Sequence, residues 1–266
     1  MSVETGMNSE TMRAFISGSD IADGTLSLMD HISALNQPML LGNAEPADGA
    51  VVGSNLLAFA EGVSRQNKED VMDSFLFATL VANKAFNPET QSAEWYTRFN
   101  KVLSTVGWFS NSWSYARYRS THQRFSMDQA AIEILGSAIA AATLPGPASA
   151  AMLKVAADTV SALKAQEKPL RLFERQTKSH NGANFRIGAC AESADGTVNL
   201  AMGAVNFLTS SNVTDVLFWE WNSAEVQTFR GENTLVLNTR MYAQNRQLIQ
   251  QRLGNNAKSA IEEFDI

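Results

Sequence analysis

Two alternating segments joined by a turn constrain this chain more than anything else in it. Asn184-Phe-Arg-Ile-Gly-Ala-Cys-Ala-Glu192 alternates as a strand does, and Thr197 to Phe207 does so again. Between them, Ser193-Ala-Asp-Gly196 supplies turn residues. The pattern predicts a β-hairpin, and a two-residue loop at Asp195-Gly196 would fix its register. Ala191 would then face Leu200, Ala189 would face Met202 and Ile187 would face Ala204, giving one apolar face. The opposite face would pair Cys190 with Ala201, Gly188 with Gly203 and Arg186 with Val205. Cys190 is the only cysteine in the chain, and in this register it looks onto a shallow groove lined by Gly188, Ala201 and Gly203.

With 266 residues the chain can bury a sizeable core. Its formal net charge of −6 argues against a nucleic-acid groove and against mainly electrostatic attraction to anionic membranes. A lone cysteine excludes an intramolecular disulfide. The first residues, Met-Ser-Val-Glu-Thr-Gly-Met-Asn-Ser-Glu, form no Sec-type signal, and serine at position 2 excludes N-myristoylation. No apolar stretch is long enough for a transmembrane helix. The expectation is a protein made in the cytoplasm, with any export using a route without a cleaved leader.

Along the chain, Ser9–Ile16 and Thr25–Leu35 read as short helices, with loops at Asn36–Pro38 and Asn43–Gly49. Helices follow from about Lys68 to Phe86 and from about Glu89 to Gly107, the second carrying Trp95, Tyr96, Phe99, Val102, Leu103 and Val106 on one stripe. Trp108 to Tyr118 reads as loop and strand. Ser126-Met-Asp-Gln129 has the form of a capping box and opens an Ala/Ile-rich helix. Leu144-Pro-Gly-Pro147 turns the chain into another helix, so that Ile134 to Leu153, which carries no charge, forms a helical hairpin with an apolar tip. Short strands are predicted at Leu170–Arg175, Val216–Trp221, Val226–Phe229 and Leu235–Leu237. Asn238 caps a helix ended by Gly254, and a short acidic helix follows. The expected class is α+β: one domain over 1–266, a helical part at 1–168 packed on an antiparallel sheet in 169–266, and a closing C-terminal helix.

The plain reading of Cys190 is a small core hydrophobe. A catalytic nucleophile would need a thiolate and a histidine partner, and neither His31, His122 nor His180 makes a recognisable Cys-His signature with it. The remaining reading is covalent modification, S-acylation in particular. The uncharged hairpin is either a buried pair of helices or one that inserts shallowly into a bilayer. Trp95, Trp108, Trp113, Trp219 and Trp221 would serve as core or as an interfacial belt. Three dispersed histidines and one cysteine offer no metal-ligand spacing, and no phosphate loop or serine-hydrolase elbow is present, so no enzyme is expected.

An α+β chain of this size with a lone cysteine in Ile187-Gly-Ala-Cys-Ala-Glu192, about three-quarters along, resembles the Erwinia virulence factor (Evf) group. That resemblance implies a bacterial virulence factor of the insect gut, with palmitate as a thioester on Cys190, association with host membrane lipids, and secretion or membrane association in the host. In such a protein the acyl chain would lie along Gly188, Ala201 and Gly203, beneath the helical hairpin. The chain also resembles the Cyt-type insecticidal cytolysins, which set helical hairpins before long alternating strands. It departs from them in its short strands and terminal helix. That resemblance implies a pore-forming toxin, and a non-enzymatic binding module with a buried Cys190 is the third reading.

Overall fold

The computed structural model describes residues 9–22, 47–142, 144, 146–179, 181–209, 217–254 and 260–266. Helix α1 (Ser9–Gly18) buries Met12 and Ile16, one turn apart. The predicted helix at Thr25–Leu35 lies outside the described residues. Strands β1 (Asp48–Val52) and β2 (Asn55–Phe59) turn about Gly53 at φ +56. Of the loop expected at Asn43–Gly49, residues 43–46 lie outside the described residues, and Asp48 and Gly49 already belong to β1. Ala50–Val52 in β1 and Leu56–Phe59 in β2 are buried apolar runs, and the two strands pair without alternation.

Helices α2 (Arg65–Ala85) and α3 (Ser92–Val106) stand where periodicity placed them. The whole predicted stripe of α3 is buried, and Gly107 ends the helix at φ +118. Strand β3 (Trp108–Tyr118) is extended throughout. After β4 (Arg124–Ser126), the capping box of Ser126 and Gln129 opens α4 (Met127–Ala141), and α5 (Gly146–Ala165) returns beside it. The strand predicted at Leu170–Arg175 is instead helix α6 (Glu167–Thr177). Pro169, Leu172, Phe173 and Thr177 are buried at helical spacing, and proline is tolerated in a first turn.

Strands β5 (Lys178–Ser179), β6 (Gly182–Glu192), β7 (Val198–Thr209), β8 (Glu220–Asn222) and β9 (Val226–Leu237) follow. The last merges two predicted strands into one. The predicted closing helix is broken at Gln244-Asn245 into α7 (Thr239–Ala243) and α8 (Arg246–Leu253), with Asn238 Oδ1 accepting from the Met241 amide as cap. The short acidic helix expected after Gly254 is strand β10 (Ile261–Asp265), where pairing with β1 overrides helix propensity.

The main sheet runs β10-β1-β2-β6-β7-β9-β3, with β5 also on β6, and β4 pairs β8 in a separate ribbon. The class is α+β. The sheet is mixed, because β2 runs parallel to β6, and it draws strands from both parts of the chain. One face packs on α1, α2, α3, α7 and α8, and the other on α4, α5 and α6.

The β6–β7 hairpin forms, one residue out of the predicted register. Glu192 pairs with Val198, so the connection spans Ser193 to Thr197. Gly196 donates to the Ser193 carbonyl at 2.8 Å and adopts φ +81, while Ser193 donates to the Thr197 carbonyl at 2.9 Å. This is a hydrogen-bonded β-turn closed by a left-handed glycine, a longer connection than the two-residue loop expected. Cys190 therefore lies opposite Leu200, Gly188 opposite Met202 and Arg186 opposite Ala204. Ala201 and Gly203 move to the opposite face with Ala189 and Ile187.

There Gly203 is where α4 touches the sheet. A Cβ on Gly203 would stand 2.9 Å from the Leu135 nitrogen and 3.2 Å from the Ala131 oxygen, both backbone atoms of α4. Gly203→Ala should consequently destabilise the fold by about 1–3 kcal/mol, as overpacking does. Denaturant unfolding with an unchanged m-value would check this, and a neutral substitution would show that α4 is free to shift.

Candidate functional site

Cys190 projects from β6 toward α2. Phe59 lies beside it on parallel β2 and Leu200 on β7, and it belongs to the larger core cluster, with no exposure. Burial pushes its thiol pKa up, the Glu192 carboxylate adds to this, and Lys68 opposes it. The thiol is therefore protonated and sealed, not a nucleophile in the folded state. His122 is exposed, and His31 and His180 lie outside the described residues.

The predicted groove residues do not line one groove. Gly188 shares the face of Cys190, but the space above it is occupied, since a Cβ there would meet Leu57 Cδ2 at 3.0 Å and Leu200 Cδ2 at 3.6 Å. Ala201 and Gly203 lie across the sheet, under α4.

Two positions before Gly188, on that same face, Arg186 is fully buried. Its Nε donates to Asn55 Oδ1 at 2.6 Å, its Nη1 to Asn184 Oδ1 at 3.2 Å and its Nη2 to Ser54 Oγ. The guanidinium carbon lies 4.4 Å from the Trp95 ring centroid and 5.1 Å from that of Phe99. Tyr96 donates to Asn184 Oδ1 at 2.9 Å. Among the described residues no carboxylate pairs with this cation; neutral acceptors and aromatic faces hold it instead. Desolvation pulls its pKa down to about 10. Sequence reasoning gave Arg186 no role. The available signal was a charge at an inward position of an otherwise apolar and small-residued strand face.

The α4–α5 hairpin covers the other face. Its inner side is small and apolar: Ala130, Ala131, Ile134, Leu135 and Ala138 from α4, and Met152 and Ala156 from α5. Its outer side toward the tip exposes Ser137, Ala140, Ala141, Pro147, Ala150, Ala151 and Leu153. The tryptophans form no belt. Trp95 and Trp108 are buried on the α2–α3 side and Trp221 on the other, while Trp219 is 56% exposed. Among the described residues no group of three or more His, Cys, Asp or Glu is placed to hold a metal ion.

A thiol reagent should label Cys190 only as fast as the chain unfolds, so its rate should rise with denaturant in step with global unfolding. Rapid labelling of the native protein would show instead that the layer over β6 opens by itself.

No family model matches the chain. No curated protein matches it either. Among solved structures, a delta-endotoxin is similar at 12% identity and a TM-score of 0.39, covering 80% of this chain and 91% of that one. The structure of the Evf virulence factor is similar at 8% identity and a TM-score of 0.34, covering 96% of this chain and 91% of that one.

Proposed function

We propose that this protein is a toxin-like bacterial virulence protein that acts on host membranes, through release of the α4–α5 hairpin from the sheet into the bilayer surface. The observation that carries this reading is the way the hairpin is attached. Among the described residues, its side-chain hydrogen bonds to the sheet are Ser137 Oγ to Glu232 Oε2 at 3.2 Å and Tyr118 Oη to Glu133 Oε2 at 2.8 Å, both exposed. The rest of the contact is apolar. Lipid tails are as apolar as leucine, so they can replace such contacts, whereas water cannot. Breaking the two hydrogen bonds costs about 1 kcal/mol each.

The geometry favours lying in the interface over spanning. Helix α4 has 15 residues, a length of about 22 Å at 1.5 Å per residue. The hydrocarbon core is about 30 Å thick. No helix among the described residues is long and apolar enough to cross a membrane. A net charge of −6 makes the attraction hydrophobic, so binding to zwitterionic vesicles should persist in high salt.

A clamp tests this. Ser137→Cys with Glu232→Cys, oxidised through a short reducible bis-thiol linker that spans the reach of the native Glu232 side chain, should clamp α4 to β9. The oxidised protein should lose vesicle flotation and the reduced protein should regain it. Equal binding in both states would overturn the reading. Dye release by the reduced form would make the action pore formation rather than surface association.

A second reading, S-acylation of Cys190, is favoured by its place. The residues directly beside it on the neighbouring strands, Phe59 and Leu200, are apolar, and Glu192 and Asn233 bound this apolar patch on the same sheet face. Protein from its native host should then carry excess mass matching a fatty acyl group, removed by neutral hydroxylamine and absent in Cys190→Ser. A bare mass would leave Cys190 as core packing.

A further inference from the structure

We propose that β3 is an assembly edge, at which a second copy of this chain pairs antiparallel through its own β3 about a two-fold axis at Ser114. The inference is independent of whether the α4–α5 hairpin leaves the sheet.

The two ends of the sheet are guarded differently. Strand β10 is five residues long and carries Glu262 and Glu263, held by Lys168 at 2.9 Å and Arg65 at 2.7 Å. Charge and shortness are the usual devices that protect an edge. Strand β3 is longer, and its one charge, Arg117, stands next to its last residue. It is eleven residues long, pairs among the described residues only with β9, and carries no charge from Trp108 to Ala116. Ser110, Asn111, Ser112, Ser114 and Ala116 are exposed, and Phe109 is 53% exposed. Its outward row of backbone N–H and C=O groups is satisfied best by another strand.

The sequence around Ser114 favours a second copy as that strand. Antiparallel pairing about Ser114 sets Trp113 opposite Tyr115 of the second copy, twice over, on the α3 side. Ser112 meets Ala116 on the other side, and Ser114 meets itself. Aromatic cross-strand pairs stabilise such a ladder. Arg117 falls opposite Asn111, where a register shift between Ser110 and Ser112 ends the regular strand. No like charges face each other along the paired segment, although the chain as a whole is acidic. The pairing would continue the sheet through both copies and leave their α4–α5 layers on one side.

Sedimentation velocity of the full chain over a concentration series should show a dimer. Ser114→Lys sets two cations directly opposite each other at the axis and should weaken the dimer about tenfold or more, with a melting temperature equal to the wild type's at dilutions where both are monomeric, because the native side chain is exposed. Ser114→Cys should give a disulfide-linked dimer on mild oxidation. The wild-type chain should not, because Cys190 is buried. A wild-type protein that stays monomeric throughout would overturn the proposal, as would a dimer indifferent to Ser114→Lys. A dimer that forms no cross-link through Ser114→Cys would overturn the two-fold at that residue.

Discussion

Everything on either side of this sheet depends on which residue of β7 lies opposite Cys190. The turn at Ser193–Gly196 closes with a glycine at φ +81 and sets Leu200 there, not Ala201. Because side chains alternate, that single step sorts the whole hairpin. Leu200, Met202 and Ala204 go to the side of the aromatic helices α2 and α3, and Ala201, Gly203 and Val205 go to the side of α4 and α5. Bulky residues fill the space beneath α2 and α3. Small ones let the α4 backbone come within contact of the strand at Gly203.

The two layers are consequently held by different forces. The α2–α3 side is pinned by buried polar contacts: Arg186 among Asn55, Asn184 and Ser54, Trp108 Nε1 to Ser74 Oγ at 2.9 Å, Asn233 to Asn100 at 2.8 Å, and Lys68 to Asp48 at 2.9 Å. Moving that layer into hydrocarbon would strand those groups, each at a cost of roughly 2 kcal/mol or more. The α4–α5 side has no comparable pins among the described residues. An aqueous environment holds both layers shut. On the proposed reading, a lipid environment would discriminate between them and release the apolar one.

Much of this was legible in the sequence, and the misses share a cause. The stripe of α3, the capping box at Ser126 and the caps at Asn238 and Gly254 are local signals, and each stands where it was read. What failed depended on distant partners. Strands β1 and β10 have little alternation of their own and exist by pairing with each other. Leu170–Arg175 is short enough to read either way until Pro169, Leu172 and Phe173 find the core. The candidate groove failed for a different reason. Gly188 and Cys190 do share a face of β6, but it lies under α2 and not under the α4–α5 hairpin, and the connection is one residue longer than the expected loop, which puts Ala201 and Gly203 on the opposite side. Arg186 was visible as an inward charge, yet nothing local reveals that Trp95 and Phe99 would come to cover it.

Acylation of Cys190 and release of the hairpin make demands on opposite faces, and so they are separable in time. Thioester formation on a cysteine needs a thiolate within reach of an acyl donor. In the folded chain, burial holds the Cys190 thiol protonated and gives it no access. On the acylation reading, an acyl group would have to be attached before α2 closes over β6, and Leu57 and Leu200, which fill the space over Gly188, would have to make room for it. The hairpin packs on the other face, so its proposed release would not involve Phe59, Cys190 or Leu200. Membrane action would then be a late event on one side of the sheet, whatever was built into the other side during folding.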